Sequence, residues 1–256
     1  MTAPHPVAPR PVLVTRPAGR EDELVDRLLE LGLEAESHPL VRLVPADGAD
    51  LDAARDRLVG GGFTELVITS RTAVAALATD GALQVPRGTR VVAVGPGTAA
   101  ALAAAGVRAD LVAGGSGQAL VDAMPEAAEG ANVLFPASAS AARTVPEGLR
   151  AKGYTVHEVI AYRSRPVDLP AAAAVALARG GYGAIVLTSP LIAQRAAAHG
   201  VHPSTAVVTI GDPTSRAARE AGLRPAGQAE APTDAALARA VQQVLTGTAS
   251  PSPSPR

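Results

Sequence analysis

Hydroxyl side chains recur in this sequence at the points where a short apolar run gives way to a stretch with helical periodicity. Such residues are favoured at the start of a helix, because the side-chain oxygen accepts a hydrogen bond from a free backbone N–H of the first turn. The carboxyl ends of parallel strands are also where open α/β sheets bind ligands, and helix N-termini there favour anions. The two interpretations are compatible, and the second predicts a large ligand with several anionic groups. The residues concerned are Thr69, Ser70, Thr98, Ser116, Thr188, Ser189, Thr214 and Thr233.

Tyr162 is the side chain best suited to acid catalysis. It is one of three tyrosines and stands in the extended segment Val159-Ile160-Ala161-Tyr162-Arg163. Its ring can pack beneath this segment, or its phenol can donate a proton or a hydrogen bond to a leaving group. Arginines that can bind carboxylates through paired hydrogen bonds stand beside it, near residue 40 and after the first apolar run. They are Arg16, Arg42, Arg163 and Arg165.

Several classes of site are missing from the sequence. The chain has no cysteine, which excludes disulfides, thiolate metal sites and cysteine nucleophiles. Its five histidines never show the spacing of a helical metal motif. Residues Gly95 to Ala100 fit a dinucleotide-binding pattern only weakly, because Pro96 removes one phosphate-facing N–H and the expected acidic residue is missing. We therefore expect no metal and no cofactor.

Charge and hydropathy predict a protein that binds neither nucleic acid nor membranes. The 23 basic and 24 acidic residues leave a formal net charge of −1, so no global field favours polyanions. No run approaches the roughly 18 apolar residues needed to cross a bilayer, and the Pro-rich N-terminus does not resemble a signal peptide. We expect a cytoplasmic protein.

Short apolar runs alternate with amphipathic stretches, which is the pattern of βα units and a parallel sheet. Aromatic residues make up only 2% of the chain, so the cores must be built from Ala, Val and Leu. The pattern predicts the α/β class. The predicted strands are Val12–Thr15, Leu66–Thr69, Arg90–Val94, Asn132–Phe135, Ala184–Thr188 and Ala206–Ile210.

The two halves of the chain repeat one another. Four pairs of positions recur at separations of 116 to 121 residues, which indicates a duplicated α/β domain. Two extended segments containing proline, His38 to Val44 and Ile160 to Pro166, follow predicted helices and are candidates for links between the halves. The repeated pairs are Thr69 with Thr188, Thr98 with Thr214, Ser116 with Thr233, and Gly32 with Gly153.

These residues together resemble the uroporphyrinogen-III synthase family. The resemblance covers about Val12 to Leu245 and depends on the order and spacing of motifs that are not specific individually. The motifs are Val14-Thr15-Arg16-Pro17, His38-Pro39-Leu40, Ile68-Thr69-Ser70, the turns from Val94 to Thr98 and from Ile210 to Thr214, Leu134-Phe135-Pro136, Ala161-Tyr162-Arg163, Leu187-Thr188-Ser189-Pro190, and Thr233 with Leu237.

The resemblance implies two similar parallel-sheet domains, flavodoxin-like or Rossmann-like, joined by a two-stranded link, with the second domain inserted into the first. A linear division near Glu126 to Gly130 is then replaced by a discontinuous first domain, residues 11–38 plus 166–246, and a second domain, residues 44–159. Residues 39–43 and 160–165 become the links. We expect residues 1–10 and 247–256 to be disordered.

The resemblance also implies a reaction. The family closes hydroxymethylbilane, a linear tetrapyrrole polycarboxylate, to uroporphyrinogen III with loss of water and inversion of ring D, as a cyclizing hydro-lyase without metal or cofactor. Tyr162 matches the family's tyrosine, which is thought to assist departure of the ring A hydroxyl. Ser70, Thr98, Ser189 and Thr214 match its hydroxyls that hold carboxylates. To these we add, as predicted substrate-binding residues, Arg16, Thr69, Ser116, Ser138 and Thr233.

Some residues depart from the family pattern. Ala137 stands where many relatives have arginine, Asp212 places a negative charge in the second glycine turn, and Arg71 replaces a frequent proline. A non-catalytic two-lobed anion-binding protein of the same duplicated fold is the alternative, and a nucleotide-dependent enzyme is a third. For the enzyme we expect a monomer, with transient contact to the enzyme that supplies hydroxymethylbilane.

Overall fold

The structure is a computed structural model that describes residues 10–18, 22–46 and 48–247. The segments predicted to be disordered therefore lie outside the described residues, except for Arg10 and Gly247. Up to Arg42 and again from Arg165, the chain forms one compact unit, called unit 1 below. Leu43–Ser164 forms the other, called unit 2.

Strands and helices alternate along nearly the whole described chain. The strands are β1 (Val12–Val14), β2 (Ala35–Ser37), β3 (Val41–Pro45), β4 (Glu65–Ile68), β5 (Arg90–Ala93), β6 (Leu111–Val112), β7 (Asn132–Ser138), β8 (Thr155–Pro166), β9 (Ala184–Leu187), β10 (Ala206–Thr209) and β11 (Pro225–Gln228). The helices are α1 (Asp22–Glu30), α2 (Ala49–Val59), α3 (Arg71–Leu77), α4 (Pro96–Ala104), α5 (Gly117–Ala123), α6 (Thr144–Ala151), α7 (Ala171–Ala178), α8 (Pro190–His199), α9 (Asp212–Glu220) and α10 (Asp234–Thr246).

Unit 1 is built on a parallel sheet in the order β11-β10-β9-β1-β2. Numbered along the chain within the unit, this is the order 2-1-3-4-5 of the flavodoxin-like folds. β1 lies inside the sheet, where Val12 pairs with Ala184 of β9 on one side and with Ala35 of β2 on the other. The N-terminal segment therefore supplies two strands of a sheet whose other strands follow some 140 residues later.

Unit 2 repeats this sheet in permuted chain order. Its sheet runs β3-β8-β7-β4-β5-β6, so β7 and β8 hold the places that β1 and β2 hold in unit 1. β3 is an addition at the edge. It runs antiparallel to β8, because Leu40 O accepts from Val167 N while Ala46 N donates to Ala161 O. The fold predicted from the resemblance is confirmed.

The division between the units falls within β3 and β8, the segments from which the links were predicted. β8 is twelve residues long, and its pairing with β7 shifts between Ala137 and Ser138, so that Ser138 lies opposite Tyr162. Such a bulge bends the strand and redirects the side chains beyond it. Most of the predicted strands end one residue earlier than expected, and in three of them the residue that begins the following turn carries a hydroxyl: Thr15, Thr69 and Thr188.

Small and branched apolar residues fill both faces of each sheet. In unit 1, β9 is fully buried over Ala184–Leu187, with α7, α8 and α9 over one face and α1 and α10 over the other. Alanines such as Ala193 and Ala238 let the helices approach closely, which explains how a core forms with so few aromatic rings. Gly32 and Gly153 end their helices with φ of 73° and 89°, the left-handed region that favours glycine.

Candidate functional site

The carboxyl edge of each parallel sheet carries most of the predicted hydroxyl residues. Four of them begin helices as caps, each accepting a hydrogen bond from the backbone N–H three residues later at 3.0 to 3.3 Å. The interpretation as helix caps is therefore confirmed for these four. Ser70 and Ser189 are half-buried, while Ser116 and Thr233 are exposed.

Thr98 and Thr214 differ from the cap residues. The caps of α4 and α9 are Gly95 and Gly211, and each threonine is the third residue of its helix. Their exposed fractions are only 6% and 2%. A ligand at these helix starts would therefore meet mainly backbone, because the threonine side chains are turned into the core.

Gly95 is required by a close approach of two loops. A Cβ added there would lie 3.2 Å from the Cα of Gly115, and Gly115 N donates to Val94 O at 2.7 Å. The turns after β5 and β6 therefore pack backbone against backbone beside Ser116. Thr69 and Thr188 precede the caps Ser70 and Ser189 at the equivalent places of the two units and are half-buried.

Arg16 forms an ion pair within unit 1. Its Nη2 lies 2.6 Å from Oδ1 of Asp234, and both side chains are largely buried, at 12% and 14% exposed. Asp234 is the first residue of α10, directly after the cap Thr233, where the helix dipole also favours a carboxylate. Asp234 is not among the residues predicted from the sequence, although an acid beside a helix cap is a recognisable signal.

Asp212 belongs to a chain of side-chain hydrogen bonds at the carboxyl ends of β10 and β11. Gln228 Nε2 donates to Asp212 Oδ1 at 2.9 Å, and Gln228 Oε1 accepts from Ser215 Oγ at 2.6 Å. Ser215 Oγ in turn lies 2.5 Å from Thr209 Oγ1. The first-turn carboxylate of α9 is thus fixed in place by this chain, which the sequence did not reveal because Gln228, on the neighbouring strand β11, makes the link between Asp212 and Ser215.

Tyr162 and Ser138 lie opposite one another in the pairing of β7 with β8. Tyr162 is half-buried and packs against the apolar cluster that contains Val159 and Ala161. Its hydroxyl has no hydrogen-bond partner among the described residues, whereas Ser138 Oγ lies 3.2 Å from Ser140 Oγ. The phenol is thus held by its ring and is free to donate.

The duplication identifies equivalent positions in the two units. Leu134 of β7 pairs with Leu66 as Leu13 of β1 pairs with Ile185. Ala137, three residues after Leu134, is therefore the counterpart of Arg16, three residues after Leu13. Unit 2 lacks at this position the arginine that unit 1 has.

An arginine pair holds Glu158 of β8 on the surface of unit 2. Arg143 contacts both carboxylate oxygens, at 2.6 and 3.1 Å, and Arg150 donates to Oε1 at 2.7 Å. Burial acts to raise the pKa of Glu158, but the hydrogen bonds and charges of Arg150 and Arg143 outweigh it and lower the pKa. Because both arginines already bind this carboxylate, they are less suited to hold a ligand.

Ser37, at the carboxyl end of β2, is another residue that was not predicted from the sequence. Its Oγ is buried and has no hydrogen-bond partner among the described residues.

Within the same described part of the chain, no group of three or more His, Asp or Glu is placed to hold a metal ion. No helix there has the length and apolar character that crossing a membrane requires.

Comparisons with known proteins match nearly the whole described fold. The family model described as Uroporphyrinogen-III synthase HemD matches residues 22–239. The chain is similar to the solved uroporphyrinogen-III synthetase from Helicobacter pylori, with 15% identity, a TM-score of 0.60, and 91% of this chain and 99% of that chain covered. It is also similar to a mutant uroporphyrinogen III synthase from Thermus thermophilus, with 17% identity, a TM-score of 0.54, and 93% and 99% covered. A search of curated protein sequences gave no match.

Proposed function

This chain belongs to the uroporphyrinogen-III synthase family, and from that premise we propose that it converts hydroxymethylbilane to uroporphyrinogen III. In this reaction the linear tetrapyrrole loses water and closes with ring D inverted, as a step of tetrapyrrole (heme, siroheme or cobalamin) biosynthesis. The observation that carries the proposal is the family match, which extends over both units of the duplicated fold.

Substrate carboxylates would be bound at the carboxyl edges of the sheets. The acetate and propionate groups of a tetrapyrrole need several separate donors, and the starts of α4, α8, α9 and α10 offer backbone N–H groups there. Ser70 and Ser189 remain half-exposed while they cap their helices, so each can also donate its hydroxyl proton to a carboxylate. The buried Thr98 and Thr214 would act mainly by fixing the backbone around these donors.

Tyr162 is the proposed acid. Loss of the ring A hydroxyl requires a proton or a strong hydrogen bond at the departing oxygen. The tyrosine ring is anchored in the core of unit 2 and its hydroxyl has no competing partner among the described residues. Ser138, opposite Tyr162, would bind substrate beside it.

Arg16 is a proposed carboxylate-binding residue of unit 1. Asp234 contacts Nη2 of its guanidinium at 2.6 Å, and a guanidinium has five N–H donors in all. Asp234 therefore orients the group. Because the ion pair is close to neutral, Arg16 would orient a bound carboxylate through hydrogen bonds more than it would attract it electrostatically.

An isomer assay tests the proposed reaction. Freshly made hydroxymethylbilane is incubated with the purified protein, the product is oxidised, and the I and III porphyrin isomers are separated. Spontaneous closure gives isomer I, so we expect isomer III to predominate only when the protein is present. An isomer ratio equal to that in buffer would refute the enzyme, and binding without conversion would favour the non-catalytic anion-binding alternative.

A further inference from the structure

A cavity of about 490 Å³ lies within unit 2, between α2 and β8. This volume is in the range of small-molecule sites. Its apolar lining includes Ala53 and Ala54 of α2 together with Leu134, Val159 and Phe63. Arg163, a carboxylate-binding candidate from the sequence, lines this cavity, but none of the residues assigned to the tetrapyrrole under the proposed function does.

Arg57 lines the cavity and contacts the Phe63 ring. Its guanidinium lies 4.4 Å from the centre of the Phe63 ring, which is the geometry of a cation–π contact. Gly62 makes this position available, because a Cβ at residue 62 would lie 2.5 Å from Arg57 Cγ. Arg57 forms no ion pair with an acid among the described residues.

His157 extends this polar end of the cavity. Its ring meets Phe63 edge to face, with centroids 5.4 Å apart, and its Nδ1 lies 3.3 Å from Arg57 Nη1. Since an arginine can only donate, Nδ1 accepts in this contact and the neutral ring carries its proton on Nε2. Arg57 and His157 together present N–H donors and a net positive charge.

The two acids that the structure describes along the cavity, Asp50 and Glu158, do not pair with Arg57. Glu158 is already bound by Arg143 and Arg150. Asp50 lies seven residues before Arg57 on α2, about 10 Å away along the helix axis at 1.5 Å per residue. Arg163 also lines the cavity. The end formed by Arg57 and His157 therefore suits an anion, and the alanine-lined part suits an apolar body.

Unit 1 shows that the fold does not require these cations. Phe63 corresponds to Tyr182, because each stands three residues before the paired positions Leu66 and Ile185. By the same alignment Arg57 corresponds to Ala176. The neighbouring glycines agree with this, because a Cβ at Gly181 would contact Ala176 as a Cβ at Gly62 would contact Arg57.

The partner of the aromatic ring differs between the units as well. Tyr182 donates its hydroxyl hydrogen bond to Glu36 at 2.9 Å, at the place where Phe63 meets His157 in unit 2. The same architecture is thus completed with alanine and an acid in one unit, and with arginine and histidine in the other. Packing alone does not explain the cationic pair.

We propose that the α2–β8 cavity of unit 2 is a separate binding site for a small organic carboxylate with a flat apolar body, held by Arg57 and His157. The carboxylate accepts hydrogen bonds from the guanidinium edge and from His157 Nε2. The ring lies against the alanine-lined wall. The site is independent of the tetrapyrrole chemistry and needs no turnover to be detected.

Titration of the full-length protein with 1-naphthoate tests this site, with 1-naphthamide as the uncharged probe of the same shape. We expect 1-naphthoate to shift the backbone amide NMR signals of Ala53, Ala54 and His157, and to bind at least about tenfold more tightly than the amide, as expected for a charge-assisted hydrogen bond. Arg57→Gln should weaken 1-naphthoate binding by at least about tenfold.

Arg55→Gln is the matched control, because Arg55 is on the same helix but donates to Ala76 O and lines another part of the surface. It should leave the affinity unchanged. If Arg57→Gln unfolds, Arg57→Lys keeps the charge while losing the planar fork, and we expect it to bind more weakly than the wild type. The proposal would be overturned if the acid and the amide bound equally, or if the signal shifts lay elsewhere in the protein. It would also be overturned by an equal loss of affinity in Arg55→Gln, or by no binding of 1-naphthoate at about 10 mM.

Discussion

Tyr162 is the residue whose removal should affect chemistry most directly. We expect Tyr162→Phe to slow turnover at least about tenfold, or about 1.4 kcal/mol in activation free energy, because the ring still packs but the proton donor is lost. Steady-state formation of isomer III measures this effect. Tyr182→Phe is the control, since it removes a buried phenol that bonds to Glu36 and should lower stability without lowering kcat. Unchanged turnover in Tyr162→Phe would remove its role as acid.

Asp212 places a negative charge beside the proposed carboxylate-binding edge of unit 1. Asp212→Asn keeps an oxygen that can accept from Gln228 but removes the charge. We expect KM to fall about twofold to fivefold with little change in kcat, since one charge several ångströms away acts with under 1 kcal/mol through water. Glu220→Gln, at the other end of α9, should leave KM unchanged. A rise in KM for Asp212→Asn would contradict the expected repulsion.

Glu158 should contribute to the pH dependence of stability. Its folded pKa is lowered below the ordinary value of 4.5 because the hydrogen bonds and charges of Arg150 and Arg143 outweigh burial, which acts in the opposite direction. A lowered carboxyl pKa stabilises the fold above the unfolded pKa, and this contribution is lost as the pH falls through the folded pKa. Urea unfolding should therefore show less loss of stability below about pH 5 in Glu158→Gln than in the wild type. Equal pH profiles of the two proteins would show that the arginine pair contributes nothing to the pH dependence of stability.

At the scale of elements, substitution can separate the capping role of the cap residues from the substrate-binding role proposed for them. Ser189→Ala removes both the cap of α8 and a hydroxyl, and we expect it to cost about 1 kcal/mol of unfolding free energy. Ser189→Gly should cost only a few tenths of a kcal/mol while still removing the hydroxyl. If Ser189 binds substrate, both variants should raise KM equally although their stabilities differ. A KM that changes only in the less stable variant would leave capping as the sole role.

The elements themselves were predictable where apolar runs are bounded by hydroxyl or glycine turns. β4, β5, β9 and β10 follow this pattern and were found within one residue of their ends. β8 was taken for a short link because its exposed, charged residues and its bulge hide the alternation of a strand. The burial of Thr98 could not be predicted, because the sequence does not show at which residue of the glycine turn the helix begins. A small shift of that start changes which residue caps the helix.

Pairings that depend on distant segments were beyond the sequence. The ion pair of Arg16 with Asp234 joins the end of the first strand to the last helix. Neither segment contains a sequence pattern that indicates the other as its partner. The cation–π contact of Arg57 with Phe63 is local in the sequence, but it depends on Gly62, because a Cβ at that position would collide with the Arg57 side chain. The repeat was detectable, but the discontinuous first domain came only from the family resemblance.

At the scale of the whole molecule, the topology predicts different fates for fragments of the two units. Leu43–Ser164 is continuous in the chain and contains nearly all of the strands of its sheet, so we expect this fragment to unfold cooperatively on heating. A fragment of residues 165–256 lacks β1 and β2 and exposes the apolar edge of β9, so we expect it to aggregate or remain unfolded. Circular dichroism melts measure both. Independent folding of residues 165–256 would contradict this assignment of the sheet.

The position of β1 inside the sheet of unit 1 has a consequence for synthesis of the chain. Val12–Val14 leaves the ribosome early, but its neighbour β9 follows only after the whole of Leu43–Ser164 has emerged. At about 5 to 20 residues per second, this wait is on the order of ten seconds. The nascent N-terminal strand must therefore stay unaggregated while another folding unit forms behind it, and a chaperone that shelters short Val/Leu segments would serve it during that interval.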